Sequence, residues 1–294
     1  MNLRRPVMVV LSALALAALT CAWAAAADFG PSKGALVIVG GNMHDPAILR
    51  KFIELAGGPD QPIVVVPTAG GAAAYGQDYS GLKMFRDAGC TRLTVLHTID
   101  RKVADSEEFV QPLRTARGVF FEGGRQWHLA DAYLGTLTQK AFAAVLDRGG
   151  VIGGSSAGAT IIGEYMVRGD TKTADIMMGD HEQAFAFLKK VAIDQHLLVR
   201  NREFDLIPLI EKHPDLLGIG LDEDTAIVVQ GDEFVVTGRS RVAIYDIHKM
   251  IPPAGKFYFL IPGDKYNLRT RTATRPSARG PSPLDRVKSL EWVK

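Results

Sequence analysis

Cysteine is nearly absent: the 294-residue chain has two, Cys21 and Cys90. Cys21 falls in an N-terminal leader described below, so a mature chain keeps Cys90 alone and can form no intrachain disulfide. Its stability has to come from a packed core, and its length suffices for one large domain. An excess of charge of either sign is missing too. There are 34 Lys and Arg against 32 Asp and Glu, and leaving out Arg4 and Arg5 of the leader brings the basic count to 32. Formal neutrality argues against nucleic acid as the main partner. No histidine–cysteine cluster has the spacing of a zinc site, and the acids lack the ligand spacing of an EF-hand, so no metal and no cofactor are implied. No internal repeat or linker interrupts the chain.

What is present begins with residues 1 to 27, which read as an export signal. Arg4 and Arg5 form a positive start, Val7 to Leu19 an apolar stretch, and Ala25-Ala26-Ala27 a small-residue cleavage site before Asp28. An uncleaved anchor and a lipoprotein signal on Cys21 are the competing readings. The preferred one gives a periplasmic or extracellular protein with no stable membrane association after cleavage.

Beyond Asp28, short apolar runs alternate with helix-compatible segments. Ala35 to Val39 is a buried strand ending in Gly40-Gly41, and Asp45-Pro46 an N-cap with proline at the first helical position. Ile63 to Val66, Arg92 to Leu96, Gly118 to Phe121 and Val151-Ile152 are further strands. Helices are expected at Pro46 to Ala56, Tyr79 to Ala88, near Glu107, at Leu137 to Arg148 and at Ala157 to Tyr165. This alternation predicts a doubly wound α/β fold whose mostly parallel sheet is flanked by helices, with ligands bound at the C-terminal strand ends. After a helix at Glu203 to Lys212, the strands Leu217 to Leu221, Ala226 to Val229, Phe234 to Thr237 and Val242 to Tyr245 follow closely. They are expected to extend the same sheet in antiparallel fashion. Composition assigns 28–268 to one domain and 269–294 to a basic, disordered tail.

The chemistry centres on Gly154-Ser155-Ser156-Ala157-Gly158, a G-x-S-x-G pattern between strand and helix. A nucleophile elbow needs small residues two positions either side of the serine, and its helix N-terminus offers free N–H groups to an oxyanion. A phosphate cradle could be built from the same parts. A serine nucleophile needs a base oriented by a carboxylate. Of seven histidines, His196 stands out, because it follows Val191 to Gln195 where a strand meets a polar turn. The carboxylate candidates are Asp222-Glu223-Asp224, three mutually repelling acids between two apolar runs.

Phe120-x-x-Gly123-Gly124-x-Gln126, Gly154-x-Ser156-Ala157-Gly158-Ala159, Asp194-Gln195-His196 and Gly218-Ile219-Gly220-x-Asp222-Glu223-Asp224-Thr225-Ala226 follow one another as in a known serine-peptidase family. The chain resembles the family that holds cyanophycinase and the aspartyl dipeptidase peptidase E, over roughly Leu36 to Leu268, and lies nearer cyanophycinase. The resemblance implies a fold like that of class I glutamine amidotransferases. It makes Ser156 the nucleophile, His196 the general base and Glu223 its orienting carboxylate. Gly124 and Ala157 would supply the oxyanion-hole N–H groups, and Gln126, Asp194, Gln195, Arg200 and Arg202 the substrate pocket. Ser155 lacks the second glycine of the pattern. The implied substrate is cyanophycin, poly-aspartate carrying arginine on each β-carboxyl, or a related β-aspartyl peptide, and the implied product is the β-Asp-Arg dipeptide. A homodimer is compatible with this picture.

Two departures bear on the substrate. Glu122 and Arg125 flank the Gly-Gly pair where the family has a small polar residue and an acid or amide. Asp205 stands where cyanophycinase has a further arginine, and an acid there is expected to weaken recognition of an acidic backbone. Two other readings stay open: an aspartyl or isoaspartyl dipeptidase with the same triad, and a catalytically silent binding protein.

Overall fold

The apolar runs up to Ser155 become strands, each linked to the next by at least one helix. The computed structural model describes residues 27–249 and 255–276, so the leader apart from Ala27 and the last residues of the tail lie outside it. In chain order come β1 (Ala35–Val39), α1 (Pro46–Ala56), β2 (Ile63–Val66), α2 (Lys83–Asp87), β3 (Leu93–Val95), α3 (Arg101–Ala104) and α4 (Glu107–Thr115). They are followed by β4 (Gly118–Phe121), α5 (Gln126–Tyr133), α6 (Leu137–Asp147), β5 (Val151–Ser155) and α7 (Ala157–Thr160). Asp45 caps α1 by accepting from the Ala47 N–H at 2.9 Å, and the left-handed Gly57 ends it.

Strands β1, β5, β4, β2 and β3 lie side by side, all parallel. Their residues alternate between two cores. Leu36, Ile38, Val64 and Val66 face α4, α5 and α6. Val37, Val39, Ile63 and Val65 face α1 and α2. In the second core Phe52 is fully buried, edge-on to Phe120 with ring centroids 5.4 Å apart. Glycines make its space: a Cβ at Gly153 would stand 2.8 Å from the Phe52 ring, and one at Gly118 3.0 Å.

The second half completes two sheets. It contains β6 (Val191–Gln195), α8 (Leu206–Lys212), β7 (Leu217–Leu221), β8 (Thr225–Gln230), β9 (Glu233–Gly238), β10 (Val242–Tyr245), β11 (Tyr258–Leu260), β12 (Lys265–Asn267) and β13 (Thr272–Thr274). β8 joins β1 antiparallel, and β9, β12 and β13 continue outward in a nine-stranded sheet. The expectation that all four later strands extend this sheet is corrected for two of them. β7 pairs parallel with β6 and antiparallel with β10, in a separate four-stranded sheet closed by β11. Both faces of β7 are buried there: Ile219 and Leu221 belong to the core shared with the main sheet, while Gly218 and Gly220 lie against Tyr245 and Leu197.

Local differences have equally local causes. The expected helix after Ser156 lasts only through Thr160, because Tyr165 forms β-bridges with Ala192 and Gln183 and draws the chain along β6. The expected helix at Tyr79 to Ala88 is a 3₁₀ turn, Ser80–Leu82, followed by α2. Residues 269–276, assigned to the tail by composition, belong to the fold: β13 pairs with β12, and Arg275 forks onto Asp264 at 2.9 and 2.7 Å. Asp232 accepts from the Phe29 and Asp28 N–H groups at 2.9 and 3.2 Å, and Arg269 reaches it at 2.7 Å. No helix among the described residues is long and apolar enough to cross a membrane.

Replacing Phe52 by Ala empties a site that glycines on two strands were shaped around. We expect a loss of about 3–5 kcal/mol in denaturant unfolding and a melting temperature lower by roughly 6–20 °C.

Candidate active site

Ser156 sits immediately after β5 with φ 56° and ψ −115°, a conformation sparsely populated by residues other than glycine. Such strain costs of order 1–3 kcal/mol and persists only where neighbours enforce it. Here they do. A Cβ on Gly154 would lie 2.1 Å from the Gly158 carbonyl oxygen, and one on Gly158 2.1 Å from that of Phe121. The two outer residues of the G-x-S-x-G pattern are therefore glycines because backbone passes where a side chain would begin. Ser155 is the last residue of β5, in register with Val39.

The Ser156 Oγ lies 2.8 Å from His196 Nε2, and His196 Nδ1 lies 2.6 Å from Glu223 Oε1. The other oxygen of Glu223 accepts from the Asn42 side-chain amide at 2.9 Å. The proton is thereby directed to Nδ1, leaving Nε2 as the acceptor facing the serine hydroxyl. His196 follows β6 in the second sheet, whereas Ser156 follows β5 in the first. Glu223 lies in the turn from β7 to β8, where the chain passes from one sheet to the other.

One short segment ties these pieces together. The Val39 carbonyl accepts from the Ser156 N–H at 3.1 Å, the Gly40 carbonyl from His196 N–H at 2.9 Å, and the Gly41 carbonyl from Asp224 N–H at 2.9 Å. A Cβ on Gly40 would meet the Asp222 carbonyl oxygen at 2.1 Å, and one on Gly41 would meet the His196 ring at 2.3 Å. The sequence marked Gly40-Gly41 as a tight turn but gave no sign of this bridging, nor of the role of Asn42.

The three adjacent acids have separate tasks. Asp222 is buried; it accepts from the Leu198 and Val199 N–H groups at 2.9 and 3.2 Å and from the Ser240 hydroxyl at 2.5 Å. Asp224 accepts from the His44 and Asp45 N–H groups and pairs with Arg239. Only Glu223 turns to the histidine. Burial, reinforced by the nearby cations Arg200 and Arg202, outweighs the Glu223 contact and lowers the His196 pKa below its ordinary value. Burial opposes ionisation of Glu223, but the hydrogen bonds from Asn42 and His196 prevail and lower its pKa.

Gly124 has φ 142°, and a Cβ there would meet the Ala69 carbonyl oxygen at 2.1 Å, so this position too requires glycine. Ala157 is the first residue of α7, where the N–H has no helical partner. Gly123 adjoins the serine: its Cβ position lies 3.4 Å from the Ser156 Cβ.

The residues expected to line a substrate pocket divide into two groups. Arg200 is exposed. The others, Gln126, Asp194, Gln195 and Arg202, are buried and bonded within the protein. Gln126 donates to the Val167 and Arg168 carbonyls, both at 2.7 Å, and Arg202 donates to the Gln195 carbonyl and side-chain oxygens, both at 3.1 Å. Asp194 is fully buried and held by both arms of Arg168 at 2.9 Å. Arg168 also donates to Asp205 at 2.5 Å. Arg168 thus bridges two carboxylates, the buried Asp194 and the part-exposed Asp205. Nothing in the local sequence announced Arg168, whose partners lie 26 and 37 residues away.

Removing one partner of a buried pair strands the other charge. Arg168→Ala is expected to destabilise the fold by about 3–5 kcal/mol, read by urea unfolding, whereas the double change Arg168→Met with Asp194→Leu costs clearly less.

Comparison with known proteins places this geometry. The model of peptidase family S51 matches residues 35–237. Cyanophycinase from Synechococcus elongatus is 34% identical over 260 residues, covering 81% of this chain and 80% of the relative. Cyanophycinase from Geminocystis herdmanii (strain PCC 6308) is 29% identical over 260 residues, covering 81% of this chain and 95% of its own. The crystal structure of a peptidase from an acI-B1 Actinobacterium superposes with a TM-score of 0.61 at 25% identity, over 80% of this chain and 97% of that one. A putative peptidase E protein from Listeria monocytogenes EGD-e shares the fold, with a TM-score of 0.50 at 19% identity, over 71% of this chain and all of its own. With a serine, a histidine and a carboxylate in line at the seam of two sheets, the chain belongs to peptidase family S51 and is a serine-type peptidase.

Proposed function

We propose that this peptidase hydrolyses cyanophycin or related β-aspartyl peptides through an acyl-enzyme formed on Ser156. The observation that carries the reading is the continuous chain Ser156 Oγ–His196–Glu223, with links of 2.8 and 2.6 Å. His196 Nε2 takes the hydroxyl proton as Oγ attacks the amide carbonyl at an aspartate β-carboxyl. Glu223 stabilises the imidazolium that forms. The N–H groups of Gly124 and Ala157 stabilise the oxyanion. The tetrahedral intermediate collapses as His196 protonates the leaving amine, and water then releases the acyl group by the same steps. Arg200, exposed and close enough to influence both His196 and Glu223, is suited to pair with an aspartate carboxylate. The substrate class is supported by the cyanophycinase relatives. Export rests on residues 1 to 27 of the sequence.

The test uses protein beginning at Asp28, with insoluble cyanophycin and, separately, aspartyl and isoaspartyl dipeptides, products being read by mass spectrometry. Release of β-Asp-Arg is expected from the wild type, and Ser156→Ala, His196→Ala and Glu223→Gln are each expected to lose about 10³-fold or more in kcat. Turnover within about tenfold of wild type would remove the role of the residue changed. Cleavage of dipeptides alone would reassign the substrate and keep the nucleophile.

The acid limb of kcat/KM reports His196, which must be neutral to accept a proton. Because its folded pKa lies below the ordinary histidine value of about 6.5, activity is retained through that pH and falls only on further acidification. In Arg200→Gln a cation that disfavours imidazolium is gone, so the limb moves to higher pH.

A further inference from the structure

Behind Gly124 lies a set of polar side chains that the triad does not use. β2 runs into a 3₁₀ turn, Thr68–Gly70, in which Thr68 is fully buried and Ala69 belongs to the first core. The Thr68 hydroxyl lies 2.7 Å from the Tyr133 hydroxyl and 2.9 Å from His97 Nδ1. Tyr133 is itself fully buried, edge-on to Phe142, and its oxygen accepts from the Thr98 N–H at 3.2 Å. Polar groups are costly to bury unless they are paired, and a paired network in a core fixes the conformation of the segment that carries it. Here that segment is the turn.

The turn presents one carbonyl to the loop after β4. Ala69 accepts from the Arg125 N–H at 2.7 Å and from His128 Nδ1 at 3.0 Å. A carbonyl can only accept, so His128 Nδ1 carries a hydrogen and donates. The same oxygen stands 2.1 Å from the Cβ position of Gly124. Gly124 is thereby pinned: the peptide that follows it is bonded to Ala69, and its α-carbon packs on the oxygen that accepts that bond. Its own N–H donates to no acceptor among the described residues. The His128 ring is confined in turn. It stands against Trp127, centroids 3.9 Å apart, and a Cβ on Gly71 would lie 2.4 Å from it.

We propose that His128 is a positioning residue of the oxyanion hole: its bond to the Ala69 carbonyl, on a turn fixed by Thr68 and Tyr133, holds the Gly124 N–H ready for the oxyanion. The inference deepens the functional reading above and rests on its assignment of Gly124, but not on the substrate. A donor stabilises a developing charge without reorganisation only if it is oriented beforehand, and a small misplacement of it is felt in the rate and not in ground-state binding. His128 touches neither substrate nor the reacting atoms in this role; it acts through Ala69.

The test measures kcat and KM separately on a short soluble cyanophycin oligomer for wild type, His128→Leu, His128→Asn and Thr68→Val. His128→Leu and Thr68→Val are expected to lose about ten- to a hundredfold in kcat, part of the roughly 10²–10³ that removal of an oxyanion donor costs, with KM within about threefold of wild type. Asparagine keeps an N–H donor, so His128→Asn is expected to retain kcat within about threefold. Thr68 is buried and its variant can fail to fold; His128 is half-buried, and its pair of variants carries the decision. The rate at which a fluorophosphonate labels Ser156, read by mass spectrometry, is expected to follow the same order without calling on peptide recognition. Unchanged kcat in His128→Leu, or a loss that His128→Asn shares, overturns the positioning role. If the wild type leaves the oligomer intact, the substrate reading fails and the labelling rates decide in the same way; a wild type that reacts with neither overturns both.

Discussion

Everything at this site depends on how closely the chain leaving β1 approaches three other segments. Three consecutive carbonyls, those of Val39, Gly40 and Gly41, accept from Ser156, His196 and Asp224, and the next side chain, Asn42, holds Glu223. No residue other than glycine fits at 40 or 41 without striking the Asp222 carbonyl or the imidazole. The parallel sheet brings the end of β1 beside the end of β5, and the β8 pairing brings the turn before Thr225 to the same edge. Ser156, His196 and Glu223 come from distant parts of the sequence, yet one tetrapeptide bonds to the segments that carry all three.

That arrangement stores strain, and the strain is local. Asn42, Ser156, His196 and Asp224 all have positive φ without being glycine. Each such conformation is unfavourable by itself and is held by hydrogen bonds and packing around it. Preorganisation follows: serine and imidazole are within hydrogen-bond distance before any substrate arrives. The buried charges serve the same end. Asp194, two residues before His196, is locked by Arg168, so the strand that leads to His196 cannot shift without breaking a buried ion pair.

Much of this was legible in the sequence. Strands β1, β2 and β4 were readable because each is buried on both faces and so is apolar throughout, and α1 because Asp45-Pro46 and Gly57 mark its ends. The elbow was legible because backbone crowding demands glycine at fixed positions. The second sheet was not, because β7 and β10 have the same apolar character as strands of the first, and which sheet a strand joins is decided by long-range pairing. Arg168 and Asn42 were invisible for a related reason: their importance lies in partners far along the chain. Asp205 was legible only as an acid; that it shares Arg168 with Asp194 depends on a partner 37 residues away. Residues 269–276 have the composition of a solvated tail, yet Arg275 and Asp264 fasten them to the fold.

The division of the site between two sheets has a mechanical consequence. Serine is carried by one sheet, histidine by the other, and the acid by the turn through which the chain passes from β7 to β8 between them. Alignment of the three therefore also depends on the core the layers share, which includes Ile219, Leu221 and Ile244 from one and Ile38 and Ile227 from the other. Sliding one layer by a fraction of an ångström would leave each sheet's hydrogen bonding intact and still part the hydroxyl from the imidazole. The hydrophobic seam thus sets the contact between Ser156 and His196, and its tight packing is a condition of that contact as much as of folding.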